Sequence, residues 1–373
     1  MAISQDESPI IFFELKSVKQ KKTRSLVAIV AGGTGGHIFP ALEVAKALRV
    51  KNHSVIWLGE PNSLESKIAA ENDFEFIACK LKRIKGENLF RKITHSFLML
   101  KLIFNCFFLL KNKTIKKAIV FGGFVSFPFA IALKFKGVSL FIHEQNSIAG
   151  LANKTLCFFA KKIFVGFEGS FVGKNVVFVG NPVRDEILQV KKDYESFKPQ
   201  KSIRILVFGG SLGSRAFNQN LTPFISRLAK NHPIEVIHQY GKLDDAPKYK
   251  NCQSVKCERF IENMPKVYHW ADMVICRAGA MSVSEVEAIG VFTLFVPFPF
   301  AVYDHQKINA QKSSNGISRF VIDQKDLSEQ SFELIFNRLF ELEDNKAIIN
   351  KEQKQKNQFY QKTLEAILFE MNL

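Results

Sequence analysis

Two doubly wound parallel-sheet α/β domains facing each other across a cleft are the fold the sequence predicts, on three observations. Apolar, β-branched runs alternate with helical patterns along most of the chain. Those runs are continuously apolar, as strands buried on both faces of a parallel sheet must be. The theme then starts again near the midpoint: Gly209-Gly210 echoes Gly32-Gly33, and each pair stands between a strand and a helix. A length of 373 residues fits two such units, since a domain usually holds roughly 100–200.

In chain order, "LVAIVA" (26–31) is the first strand, followed by a helix from about Phe39 to Arg49 and a strand "SVIWLG" (54–59). Further strands are expected at 117–123, 138–144 and 162–167. After "GNPVR" the chain turns polar, so residues 185–202 read as a linker between a first domain (26–184) and a second (203–351). "IRILVFGGSLGS" opens the second domain, with strands at 234–241, 273–279 and 292–298. The Lys/Glu/Gln-rich end, including 352–373, reads as helix. Residues 1–25 form an extension that lacks the pattern of a secretory signal, because Asp6 and Glu7 stand where positive charge belongs.

Composition narrows the partners. Hydrophobic residues are 47% and charged ones 23%, which allows real cores. A net charge of +17 favours anionic partners such as phosphates, nucleic acid or an anionic membrane. No nucleic-acid motif stands out, so nucleic acid is not expected. The six cysteines include no CxxC pair and read as structural thiols of a reducing compartment. Phe97–Leu110 is the longest apolar stretch, and Lys101 and Asn105 interrupt it. A spanning helix needs about 20 apolar residues, so this one reads as a buried helix. Lys82, Arg83, Ile84, Leu89 and Phe90, just before it, are the better membrane-facing candidates.

The glycine clusters point to a phosphate-bearing ligand, because glycine admits a ligand close to the backbone and a helix start offers free N–H groups. "AGGTGGHIF" places Ile38 where a dinucleotide fingerprint needs its last glycine, and no GxxxxGK[ST] occurs, so neither NAD nor an ATPase loop fits. A third cluster, "RAGAMSVSE", has Ser282 and Glu285 at the spacing of a capping box. Glu285 could equally accept hydrogen bonds from a ribose diol. Asp304 reads as the N-cap of a further helix that carries Gln306 and Asn309.

"GGTGGHIFPA", "HEQNSIAGLANK", "GNPVR", "GGSLGSRAFN", "RAGAMSVSE" and "DHQKINA" follow one another in this order. Together they resemble the MurG family of bacterial N-acetylglucosaminyltransferases, from about Leu26 to the end. The resemblance implies a GT-B fold whose final helix returns to the first domain. It implies inverting transfer of N-acetylglucosamine from UDP-N-acetylglucosamine to the 4-hydroxyl of lipid I, giving lipid II for peptidoglycan. It also implies peripheral attachment at the cytoplasmic face of the inner membrane. By the same resemblance, donor contacts fall on Thr34, Gly35, Gly36, Asn146, Arg184, Ser211, Ile261, Ala280, Met281, Ser282, Val283, Ser284, Glu285 and Gln306. Glu285 then shifts from cap to ribose ligand, although both roles are compatible.

Inversion needs a base for the acceptor hydroxyl and stabilisation of departing UDP. His37 is the candidate base, since imidazole titrates near working pH; as a residue alone it could equally contact phosphate or cap the helix. His143 and Glu144 are held in reserve. Arg184 offers a planar fork for the diphosphate. No D-x-D metal motif occurs, so neither a metal nor a cofactor is expected. The chain departs from common family residues at Phe124, Ala149 and Leu212. The nearest rival is a GT-B enzyme acting on another lipid, such as diacylglycerol.

Overall fold

The computed structural model describes residues 25–80, 89–190, 192, 202–242, 246–249 and 254–373, with the backbone alone at 89–97, 302 and 343. Lys82, Arg83 and Ile84 lie outside the described residues, as do the side chains of Leu89 and Phe90 and nearly all of the N-terminal extension.

The first half is a seven-stranded, wholly parallel sheet. Its strands are β1 (Leu26–Ala31), β2 (Ser54–Gly59), β3 (Glu75–Ala78), β4 (Ile115–Gly122), β5 (Ser139–Glu144), β6 (Ala160–Val165) and β7 (Val176–Phe178), ordered β3-β2-β1-β4-β5-β6-β7. Helices α1 (Gly35–Val50), α2 (Leu64–Glu71), α3 (Leu89–Leu109), α4 (Ser126–Phe135) and α5 (Leu151–Leu156) cover it. Successive residues of a strand face opposite ways. Accordingly, Ala28 and Val30 of β1 enter a core with α3 and α4, whereas Val27, Ile29 and Ala31 enter another with α1 and α2.

A short α6 (Asp185–Leu188) leads to the second sheet. Its strands are β8 (Ile203–Phe208), β9 (Ile234–Gln239), β10 (Val255–Glu258), β11 (Met273–Cys276), β12 (Phe292–Phe295) and β13 (Arg319–Val321). They too are all parallel, in the order β10-β9-β8-β11-β12-β13. The helices are α7 (Thr222–Asn231), α8 (Met264–Trp270), α9 (Ala280–Ile289), α10 (His305–Ser313), α11 (Glu329–Arg338) and α12 (Leu342–Glu370).

α12 ties the halves together. Leu342 and Ile349 sit in one core of the second half and Tyr360 in the other, while Ile367, Leu368 and Met371 enter the α1 core of the first half. The Thr363 hydroxyl donates to the Val179 carbonyl at 2.7 Å, and the Tyr360 hydroxyl to Glu287 at 2.6 Å.

Three expectations need correction. Helix α1 starts at Gly35, not Phe39, so Pro40 is its sixth residue and leaves the Gly36 carbonyl without its helical N–H partner. The polar segment after Arg184 is not a free linker: Ile187, Leu188 and Val190 are buried in the core of the second half. Helix α3 is two-faced. Leu102, Cys106 and Leu110 are buried, but Leu100, Phe104 and Phe108 recur at every fourth position on the outside, with Phe108 64% exposed. Among the described residues no helix is long and apolar enough to cross a membrane.

Candidate active site

Both sheets place their loops at the carboxyl ends of parallel strands, where ligands bind in this class of fold. In the first half, Gly33 has φ +94° and nothing within 4 Å of where a Cβ would stand, so only its backbone conformation demands glycine. The loop after β4 braces it, because a Cβ on Gly123 would lie 2.2 Å from the Gly32 carbonyl oxygen. Thr34 is the N-cap of α1 but gives no side-chain cap, and the first turn carries no acidic residue. The first amides of α1, including those of Gly35 and Gly36, thus lack a side-chain cap and sit at the positive end of the helix dipole.

His37 stands in that first turn, half-buried, with Nδ1 2.8 Å from Gln145 Oε1. The imidazole lies over Gly122, where a Cβ would meet it at 3.1 Å. Its side chain is not a helix cap.

The end of β5 supplies "HEQN". His143 is fully buried, with Nε2 3.0 Å from the Gly180 carbonyl and Nδ1 3.1 Å from Gln145 Nε2. Burial lowers its pKa to about 4, so the ring is neutral at working pH. Glu144 is equally occupied, accepting from Asn146 N (3.0 Å), Asn146 Nδ2 (3.3 Å), Gly150 N (3.0 Å) and Asn153 Nδ2 (2.9 Å). Neither reserve base presents a lone pair to an incoming hydroxyl. Both instead shape the loop, which corrects the sequence-based expectation.

Asn146 and Ser147 reach the second half. Asn309 Nδ2 donates to Asn146 Oδ1 at 3.3 Å, and Ser147 N donates to Asn309 Oδ1 at 2.8 Å. Asn181 Nδ2 lies 3.1 Å from the Gln145 carbonyl and 3.0 Å from Ser284 Oγ on α9.

In the second half, Gly210 also has φ +94° with open space around it, and Ser211 and Leu212 beside it are exposed. Gly213 packs backbone to backbone against Gly241. Helix α9 starts at Ala280 with Gly279 as its N-cap and no side-chain cap, so the expected Ser282–Glu285 capping box does not form. Ser282 is already inside the helix. Ala280, Val283 and Ser284 are buried, which leaves the half-buried Met281 and Ser282 and the first backbone N–H groups of the helix as its outward chemistry.

Glu285 instead pairs with Arg184, whose Nη2 and Nε approach one carboxylate oxygen at 2.9 and 3.3 Å. The Tyr268 hydroxyl donates to the other oxygen at 3.1 Å. Burial, and then the Glu285 charge, push this phenol well above its usual pKa and keep it a donor. Gln306 accepts from Phe298 N at 3.0 Å, and the Ile261 amide donates to Gln239 Oε1 at 2.8 Å. Asp304 occupies the N-cap position of α10 but in the left-handed region, at φ +53°, with no side-chain cap. Phe260, beside Ile261, lines an open cavity of about 560 Å³ with Lys242, Glu258 and Arg259.

The fold therefore unites His37 with His143, Asn146 with the α10 segment, and Arg184 with Glu285. Ser211, Ile261 and Gln306 make no direct hydrogen bond to these groups. Gln145, Asn181 and Tyr268 are absent from the sequence-based set. The first two stand inside quoted motifs, "HEQN" and "GNPVR"; nothing in the local sequence marks Tyr268.

The glycosyltransferase family 28 N-terminal domain matches residues 27–165, and the family 28 C-terminal domain matches 204–367. A UDP-N-acetylglucosamine–N-acetylmuramyl-(pentapeptide) pyrophosphoryl-undecaprenol N-acetylglucosamine transferase of Shewanella loihica is 37% identical over 87% of this chain and 90% of its own length. The Dechloromonas aromatica protein of the same name is 36% identical over 83% and 89%. Among solved structures, Acinetobacter baumannii MurG superposes with a TM-score of 0.71 at 31% identity, covering 92% of this chain and 99% of that one. The calicheamicin glycosyltransferase CalG4, at 11% identity and a TM-score of 0.64 over 94% and 99%, shares the fold alone.

Proposed function

The chain belongs to glycosyltransferase family 28, and we propose that it transfers N-acetylglucosamine from UDP-N-acetylglucosamine to the 4-hydroxyl of the N-acetylmuramoyl group of lipid I. The product is lipid II, the lipid-linked disaccharide of peptidoglycan synthesis. The relatives' shared name supplies the two substrates. One observation in this chain carries the chemistry: a half-buried imidazole, held at a single nitrogen, stands in the first turn of a helix without a side-chain cap.

His37 takes the proton of the 4-hydroxyl as its oxygen attacks the anomeric carbon. The bond from that carbon to the UDP oxygen breaks on the opposite side, and the configuration inverts. Leaving-group charge falls on the amides of Thr34, Gly35 and Gly36, the start of α9 at Ala280 and Met281, and Arg184. The Arg184–Glu285 pair sets a diphosphate cation beside a ribose acceptor. Asn146, Ser211, Ile261, Ser282 and Gln306 complete the donor set.

A lipid-linked acceptor calls for a membrane-facing surface. The outer face of α3 with Phe135 and Phe158 (73% and 86% exposed) forms an apolar surface among Lys101, Lys111, Lys134 and Lys136. Aromatic side chains next to lysines suit an anionic headgroup layer, so this face sits peripherally on the cytoplasmic side of the inner membrane.

The test is transfer of radiolabelled N-acetylglucosamine to a lipid I analogue in EDTA, with UDP-galactose as competing donor. Transfer unaffected by EDTA and by excess UDP-galactose is expected. A folded protein that binds UDP but labels no lipid I would show that the acceptor is wrong.

A further inference from the structure

His37 has two ring nitrogens, and only one of its neutral tautomers leaves a lone pair where the acceptor arrives. We infer that Gln145 is the positioning residue that fixes this tautomer, relaying a proton pattern set by the Gly180 carbonyl through His143 to His37. The inference rests on the reading of His37 as base.

The relay follows from donors and acceptors alone. The Gly180 carbonyl can only accept, so His143 Nε2, 3.0 Å away, carries the hydrogen. His143 is wholly buried and neutral, which leaves Nδ1 as a bare acceptor. Gln145 Nε2 donates to that nitrogen at 3.1 Å and to the His143 carbonyl at 2.9 Å. The opposite amide orientation would turn an oxygen toward two acceptors, so hydrogen bonding selects this one. Oε1 must then face His37, and at 2.8 Å it accepts from Nδ1–H. Neutral His37 consequently holds its lone pair on Nε2, which has no hydrogen-bond partner among the described residues.

The surroundings hold each link in place. Phe121 stacks on His143 with ring centroids 5.5 Å apart and planes 28° from parallel. Asn181 grips the Gln145 carbonyl and reaches Ser284 on α9, so the relay is keyed to the helix assigned to the donor. At Gly122 both the backbone (φ +110°) and the space taken by the imidazole exclude a side chain. A glutamine, unlike a carboxylate, orients the ring without adding charge beneath it.

The test is long-range 1H–15N NMR of 15N-histidine-labelled protein, with His37 assigned from the spectrum of His37→Ala. Wild type is expected to show His37 as the Nδ1–H tautomer. In Gln145→Leu the Nε2–H form should appear and kcat should fall roughly 10- to 100-fold with donor KM within about twofold. Gln145→Glu keeps an acceptor facing Nδ1 and should retain the wild-type tautomer, but its second oxygen meets the two His143 acceptors and its charge lies beneath the ring, so turnover and the urea midpoint should both fall. An Nε2–H tautomer in wild type, or one unmoved by Gln145→Leu, overturns the relay. Near-normal kcat in His37→Ala, with a tautomer that still follows Gln145, overturns the base reading and leaves the relay intact.

Discussion

The two glycine loops begin alike and end differently. Gly33 and Gly210 both have φ +94° and both face open space. In the first half the brace comes from the loop after β4, and the chain runs directly into α1 with His37 over Gly122. In the second the brace comes from the β9 side, where a Cβ on Gly213 would lie 1.9 Å from the Tyr240 carbonyl oxygen. Five residues of wider π-turn (Phe217–Leu221) then precede α7. One strand-loop-helix plan thus serves two ends. The first loop delivers a histidine; the second presents backbone, the Ser211 hydroxyl and, at its end, the exposed Arg215.

The sharpest way to break this comparison is to add a methyl group to each loop. Gly213→Ala meets backbone on two sides and adopts a left-handed φ, so it should cost about 3 kcal/mol or more, or prevent folding. Gly33→Ala has room and bears only the backbone strain, about 1–2 kcal/mol. Urea unfolding midpoints check both. Equal losses would mean that the close approach of Gly213 to the Tyr240 carbonyl adds nothing to the backbone strain both positions share.

A second contrast pairs one buried histidine from each half. Burial lowers both His143 and His238 from the ordinary 6.5 to about 4. A histidine depressed in the folded state binds its proton more readily when unfolded, so stability is full above about pH 6.5 and is lost as pH falls toward 4. Between pH 7 and 5 each should cost about 2 kcal/mol. His143→Gln and His238→Gln should each flatten the pH dependence of the urea midpoint by that amount. A slope unchanged by either substitution would mean the ring is not buried neutral.

The smallest effect concerns the outer face of α3 in the first half. Phe104→Ser with Phe108→Ser should weaken co-sedimentation with anionic vesicles several-fold and leave turnover of a water-soluble acceptor unchanged. Equal loss of both activities would show that α3 acts through the fold and not the membrane.

The sequence reveals the centre of each sheet better than its rim. β1, β2, β4, β5, β6, β8, β9, β11 and β12 are foreseen because buried strands read as apolar runs. The four strands not foreseen, β3, β7, β10 and β13, are the edges of the two sheets. "EFIA" and "VKCE" are short and half-exposed, and so lack that signature. In the site, glycine spacing and motif order disclose which segments converge. They do not disclose direction: Ser282 and Glu285 have cap spacing, yet the helix starts earlier and Glu285 turns to Arg184 and Tyr268. Gln145 is legible only once the chain of hydrogen bonds around it is seen.

The decisive measurement is kcat for transfer to lipid I by His37→Ala, with UDP affinity measured in parallel. A fall of about two to four orders of magnitude at unchanged UDP affinity is the expected result. Turnover within a few-fold of wild type would contradict it, because neither His143 nor Glu144 has a free lone pair to take the proton instead.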